Sequence, residues 1–393
     1  MAQESIVIVG MARTPMGGLL GDLSTVEASE LGAVAIKGAI ERAGIDGNAV
    51  NETMMGCVLP AGQGQAPARQ ASIKAGLPIE TGAVTVNKIC GSGMKAMMLA
   101  ADSIAVGTNN IVVAGGMESM SRAPHLMPSA RTGTKFGPTQ LQDHMALDGL
   151  TDAYDGEPMG VYAELCAERF QFTREAQDAY AIESLKRAQA AIENNSFDGE
   201  VVSVTVKSRR GDTEITTDEQ PPKARLDKIP ALRPAFKKDG TITAANASSI
   251  SDGAAALVMM SASEAEKRGL KPIATLKAHA SHSQEPQWFT TAPVTAMQKV
   301  MDKAGWAKDD IDLFEVNEAF AVVVMAAMQE LGLDHDKVNV NGGACALGHP
   351  IGASGARICV TLINALQKRG LKKGVAGICI GGGEATAVAI ELT

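Results

Sequence analysis

Three side chains of this 393-residue chain could share one reaction: Cys90, His349 and Cys379. Cys90 follows the strand-like run Val84-Thr85-Val86-Asn87-Lys88-Ile89 and precedes a small-residue helix. A helix start carries partial positive charge and unpaired N–H donors, and both stabilise a thiolate. A buried structural cysteine fits the same window. His349 stands in a stretch from Asn341 to Arg357 that holds five glycines (342, 343, 348, 352 and 355). An imidazole on such a loop titrates near neutrality and can act as a base. A packed turn with an incidental histidine fits that stretch equally well. Cys379 ends an apolar run just before Gly381-Gly382-Gly383, and such strand ends are where α/β sheets place ligands. A thiolate and an imidazole make a nucleophile–base pair. A second thiol suits a reaction that attacks a carbonyl and also makes or breaks a bond at an α-carbon. Asn317 follows a strand-like run, 311–316, and can orient a water, donate to an oxyanion or cap a helix.

These residues need elements to hold them. A buried strand is expected over 5–10, a helix over 31–43 closed by Gly44, and a strand over 54–59. A strand over 84–89 and a helix over 94–106 follow, then a strand over 111–114 stopped by Gly115-Gly116. The last third repeats this order. A helix over 294–304 ends at Gly305, a strand covers 311–316, and Val338-Asn339 matches Val86-Asn87. Ser354-Gly355-Ala356-Arg357 matches Ser92-Gly93-Met94-Lys95, and a helix should follow Gly355 through Ile358, Leu362, Ile363 and Leu366. Alternating strands and helices argue for mostly parallel sheets with helical layers in a duplicated domain. The three reactive side chains would then lie on corresponding loops of two adjoining sheets.

An excursion over 122–245 separates the repeats, with a helix pair at 161–170 and 174–194. Between Lys207 and Lys238, nine Lys/Arg stand against five acids, a local excess of four (9 − 5) in a chain of net charge −8. That stretch is a candidate phosphate-binding surface or an ordinary solvated face. The acidic balance argues against nucleic acid as a partner. No apolar run is long enough for a membrane helix, and the start shows no secretory signal. The six cysteines are scattered, with no C-x-x-C and no metal-like cluster, so a reducing cytoplasm and no metal are expected.

Four motifs in order resemble the thiolase family. They are Val86 to Ala96 (VNKICGSGMKA), Asn317-Glu318-Ala319-Phe320-Ala321, the Gly342–Gly355 loop and Cys379-Ile380-Gly381-Gly382-Gly383. Asn246-Ala247-Ser248 adds to them. The resemblance implies an α/β fold of duplicated βαβαβαββ domains in α-β-α-β-α layers with an inserted loop domain. Its divisions would be 1–121 with 246–270, then 122–245 for tetramerisation and CoA, then 271–393. It implies a reversible Claisen condensation of two acetyl-CoA to acetoacetyl-CoA and CoA. Cys90 would carry the acyl group, His349 would take its proton, and Cys379 would move the α-proton. One oxyanion would be held by His349 with an Asn317-bound water, the other by the N–H groups of Cys90 and Gly381. Ser248 would touch the pantetheine, and Ala319 and Phe320 would line its channel. Leu150, Met159, Lys223, Phe236, Ala244 and Phe289 complete the implied substrate- and CoA-binding set. CoA is substrate and product, and no other cofactor is implied.

The family's acetoacetyl-CoA enzymes often carry a histidine before the Met-Gly of this region, whereas this chain has Pro158 before Met159-Gly160. Proline has no N–H to offer an acyl carbonyl. A broader 3-ketoacyl-CoA thiolase of fatty-acid β-oxidation is the alternative reading. A decarboxylating ketoacyl synthase would need a second histidine where Cys379 stands. A non-catalytic CoA-binding protein would not need the reactive set at all. The 124–145 segment resembles the loop that joins thiolase dimers, which implies a homotetramer.

Overall fold

The first apolar run becomes β1 (Ile6–Arg13), which is buried along its whole length. Alternate residues face opposite ways. Ile6 and Ile8 therefore enter the central core, while Val7 and Val9 enter an outer one. The structure, a computed structural model, describes residues 4–393. After β1 come α1 (Ala28–Ala43), β2 (Glu52–Gly56), α2 (Pro67–Lys74), β3 (Gly82–Val86), α3 (Ser92–Ala105) and β4 (Ile111–Ser119). The excursion holds α4 (Met159–Phe170) and α5 (Arg174–Glu193), and β5 (Ser251–Ser261) brings the chain back. The second half runs β6 (Ala274–Ser283), α6 (Ala292–Ala304), β7 (Leu313–Val316), α7 (Ala321–Leu331), α8 (Ile351–Arg369), β8 (Lys373–Ile380) and β9 (Glu384–Leu392). The first half is thus βαβαβαββ. In the second half the third strand shrinks to a bridge between Phe314 and Val338.

The strands are ordered β7-β8-β9-β6-β1-β5-β4-β2-β3. Parallel pairing occurs where a helix intervenes, at β3–β2–β4 and β7–β8. The pairs between β4 and β9 in that order are antiparallel, so parallel pairing is confined to the two ends. β8 and β9 are joined by three glycines alone, which leaves no length for a crossover. The two half-sheets meet through three residue pairs of β1 and β6, from Ile6↔Leu276 to Ile8↔Ala274.

Helices α3 and α8 lie between the half-sheets. Met94 and Met97 of α3 share one core with Ile358 and Leu362 of α8 and with Leu257, Ile378 and Val388 of the sheets. Helix α1 covers the outer face of the first half, and α6 and α7 cover that of the second. The result is the five-layer α-β-α-β-α order.

Two glycine readings change. Gly115-Gly116 does not stop β4, which continues to Ser119. A Cβ on Gly116 would lie 2.0 Å from the Gly352 carbonyl oxygen, so that glycine admits α8 against the strand. Gly352 and Gly355 are not loop residues either, because α8 already starts at Ile351. A Cβ on Gly355 would lie 2.6 Å from the Met94 nitrogen, so the residue lets the two central helices touch.

The excursion is tied to the core by charge. Fully buried Arg13 donates to Glu200 at 2.5 Å and to both oxygens of Asp218 at 2.7 and 2.9 Å. Such a forked, desolvated pair fixes one segment against another.

Candidate active site

Cys90 sits one residue before Gly91, the N-cap of α3. The turn is held by its own side chains. Asn87 Oδ1 accepts from the Ile89 N–H at 3.0 Å, and Ser92 Oγ accepts from the Lys88 N–H at 2.8 Å. The result is Ile89 in the left-handed region, φ 44°, where a β-branched residue is strained. The backbone N–H of Gly381, on the turn after β8, lies near the Cys90 sulfur. Burial pushes its thiol up to about 11, and the Gly381 and Cys90 N–H groups act against that rise. The helix start therefore does not yield a preformed thiolate. The resting group is a thiol that needs a base.

His349 is the candidate base. Its backbone N–H donates to the Ser249 carbonyl at 3.1 Å, which fixes the loop on the segment leading into β5. Its Nδ1 lies 2.6 Å from Ser354 Oγ, and that hydroxyl donates to the Pro350 carbonyl at 2.9 Å. With the hydroxyl proton so used, Nδ1 carries the imidazole proton and Nε2 is the bare acceptor. Nε2 is buried and has no protein partner. Burial, together with the Arg357 guanidinium, holds the His349 pKa down to about 3, so the ring is neutral at working pH. Changing Ser354 to alanine should lower kcat about fivefold with KM little changed, from loss of a hydrogen bond worth about 1 kcal/mol. Steady-state thiolysis checks this, and wild-type kcat would contradict the orienting role.

Cys379 lies in β8 opposite Ala385 and is fully buried. Burial pushes its thiol well above the usual value, and nearby Cys90 adds to the rise. It is thus held as a thiol near the first sulfur, a group able to carry a proton. Asn317 is not a helix cap, because α7 begins four residues later with Phe320 as its N-cap. Both ends of its buried amide lack protein partners. Its neighbour Glu318 is used structurally, accepting from Tyr180, Ser184, Asn339 and the Cys345 N–H.

This geometry can be set beside known proteins. Residues 6–263 match the family model for the thiolase N-terminal domain, and residues 270–392 that for the thiolase C-terminal domain. The chain belongs to the thiolase family. It is 51% identical to an acetyl-CoA acetyltransferase of Cupriavidus necator over 98% of this chain and 99% of that protein. It is also 51% identical to acetyl-CoA acetyltransferase 2 of Arabidopsis thaliana, over 99% of this chain and 97% of that protein. The crystal structure of the Bacillus anthracis acetyl-CoA acetyltransferase superposes with a TM-score of 0.97 at 39% identity, covering all of both chains. A thiolase of Ascaris suum in complex with coenzyme A gives 0.94 at 46% identity, covering 99% of this chain and 100% of that one.

In this thiolase the remaining expected residues fall into three places. Met159 lies over the Gly381 turn, its sulfur 3.3 Å from where a Cβ of Gly381 would stand. Phe320 contacts Phe236 and Phe289 edge-on, with ring centres 6.1 and 6.4 Å apart. Ser248 donates its N–H to the Ala319 carbonyl at 2.9 Å, so these two stand together. Leu150 and Cys90 both pack against the buried cluster of Val58, Leu59, Met120 and Ile351. Ala244 lies farther out, in a cavity of about 250 Å³ with Arg225, Lys228, Leu232, Cys345 and Ala346. Lys223 is exposed and already paired with Glu219 at 2.8 Å and Asp22 at 3.2 Å. Pro158 is the N-cap of α4, a position where a missing N–H costs nothing.

Sequence reasoning missed several supports. Glu118, fully buried, accepts from the N–H groups of Val58, Leu59 and Gly352. It thereby ties the start of α8, and with it His349, to the loop after β2. Burial pushes Glu118 up to about 7 against those three donors. Arg357 and Glu315, 3.8 Å apart and both buried, connect α8 to the strand leading to Asn317. Among the described residues no group of three His, Cys, Asp or Glu could hold a metal ion, and no helix is long and apolar enough to cross a membrane.

Proposed function

We infer that this thiolase is an acetyl-CoA C-acetyltransferase that interconverts two acetyl-CoA with acetoacetyl-CoA and CoA through an acyl-Cys90 intermediate. Two observations support this: the two thiols lie near each other and near the Gly381 N–H, and the loop leading into α8 holds a buried imidazole whose Nε2 is bare. In the cleavage direction, His349 Nε2 takes the Cys90 proton as the sulfur attacks the ketone carbon. The Gly381 and Cys90 N–H groups hold the oxyanion. The C2–C3 bond breaks, and its electron pair passes into a thioester enolate faced by Asn317 and protonated His349. Cys379 gives its proton to C2, and acetyl-CoA leaves. Entering CoA returns a proton to Cys379 and attacks acetyl-Cys90. The departing Cys90 sulfur regains its proton from His349, which balances the cycle. Condensation is the reverse. The thioester acidifies the α-carbon, so no metal or redox group enters any step.

The Phe236, Phe289 and Phe320 cluster with Met159 supports a short acyl pocket. The expected result is that kcat/KM is highest for acetoacetyl-CoA and falls along a series of longer 3-ketoacyl-CoA substrates. Faster cleavage of the longer substrates would favour the broader β-oxidation thiolase instead. Ala244 and the basic Arg225 and Lys228 suit the phosphate-bearing part of CoA, with Ser248 nearer the pantetheine. Lys223 would have to leave its acidic partners to join them.

The same reading divides the chain at 1–121 with 246–270, 122–245 and 271–393. The return of β5 between β1 and β4 supports that division. A cytoplasmic homotetramer, as a dimer of dimers, completes it. Support comes from exposed Phe136, Leu141 and Met127 in the loop after β4, and from six cysteines that are all free. Sedimentation of the pure protein should give the mass of four chains, and a two-chain mass at all concentrations would remove the tetramer.

A further inference from the structure

Cys90 and the Gly381 N–H belong to different halves of the chain, on turns that must keep a fixed spacing for one to serve the other. Asn87 and Ser92 set the shape of the Cys90 turn from within, but they do not reach the Gly381 turn. One ion pair among the described residues does reach across. Lys88 stands two residues before Cys90, and Glu384 follows directly on Gly381-Gly382-Gly383. Lys88 Nζ lies 2.5 Å from Glu384 Oε2, and Glu384 Oε1 accepts from Ser283 Oγ at 2.9 Å. Their side chains are 21% and 32% exposed, so the contact is partly shielded from water. Against the effect of burial, the charge of Lys95 on α3 adds to that of Lys88 in holding the Glu384 carboxyl below its ordinary value. Ile89, strained at φ 44° between Lys88 and Cys90, places its Cγ2 3.9 Å from where a Gly381 Cβ would stand.

We propose that Lys88 and Glu384 are positioning residues, a clasp that holds the strained nucleophile turn against the oxyanion turn of the other half. Neither residue touches the reacting atoms. Strained backbone persists only where its surroundings over-determine it, and the clasp supplies the long-range part of that constraint. Three-glycine turns have little stiffness of their own. Without the clasp the Gly381 N–H would drift from the oxyanion position. Losing an oxyanion donor outright costs about 10²–10³ in kcat, and loosening one costs less, about tenfold. Ordinary surface ion pairs add little to stability, so the melting point should hardly move.

The inference rests on Cys90 and Gly381 acting as described above. The test is a cycle of Lys88→Met, Glu384→Gln and the double variant in the full-length enzyme, with Lys88→Arg and Cys90→Ala beside them. Each single variant should lose about tenfold in kcat with KM and melting point unchanged. The double variant should lose about the same tenfold, because the pair acts as one unit. Lys88→Arg should keep most of the rate. Wild-type kcat in either single variant, or losses that multiply in the double, would overturn the clasp. Inactive Cys90→Ala beside fully active clasp variants would remove the clasp alone, and active Cys90→Ala would remove the site reading beneath it.

Discussion

Replacing Cys90 by alanine is expected to abolish CoA-dependent cleavage of acetoacetyl-CoA, with kcat down by at least about 10⁴-fold. The reason is positional. The acyl group must sit on an atom that the Gly381 N–H can face, and the Cys90 sulfur is placed to do so. Cys379 cannot replace it, because that sulfur is fully buried in β8 and burial holds it as a thiol. Cys345 lies with the outer cavity and with Glu318, which leaves its thiol far above the usual range through burial and that carboxylate. The substitution removes one half-buried sulfur, so the melting point should stay close to wild type. Unchanged melting with lost thiolysis is the expected pair of readings. Retained thiolysis would contradict the nucleophile assignment.

Replacing Cys379 by alanine should split the cycle rather than stop it. Overall turnover should fall by about 10²–10⁴, the usual worth of a positioned proton carrier. Attack of Cys90 on the first acetyl-CoA should survive, because His349 Nε2 and the Gly381 N–H are untouched and water can protonate the departing CoA in place of Cys379. Mixing this variant with acetyl-CoA should release about one CoA per chain in a rapid burst and then almost none. Loss of the burst along with turnover would mean that protonation of the departing CoA by Cys379 is indispensable to acylation.

Much of this site was readable because its chemistry sits on special backbone. Cys90, His349 and Cys379 each stand beside glycines, and glycine runs are visible in a sequence. The halves could be aligned because helix ends such as Gly44 and Gly305, both left-handed caps, recur in order. What was misread were glycines with a different task. Gly116, Gly352 and Gly355 look like turn residues, yet they serve contact between buried elements, which depends on a partner hundreds of residues away. The supporting carboxylates were missed for the same reason. Glu118 lies in a strand and Glu318 just before a helix, and nothing local marks either as buried. Only the fold brings Glu118 to the Gly352 N–H and Glu318 to Tyr180 and Ser184. A helix cap at Asn317 fits its sequence context as well as a site role does, and only the start of α7 at Ala321 rules the cap out. Ser354 was visible only as part of a repeat, while its task is to fix which nitrogen of His349 carries the proton.

The whole cycle turns on an acetyl group carried by the first sulfur. The most direct measurement is mass spectrometry of peptides from the Cys379→Ala variant after brief exposure to acetyl-CoA. One acetyl group on the peptide containing Cys90, absent when Cys90 is also replaced, is the predicted result. An acetyl group on another cysteine, or none on a protein that still turns over acetoacetyl-CoA, would contradict the account.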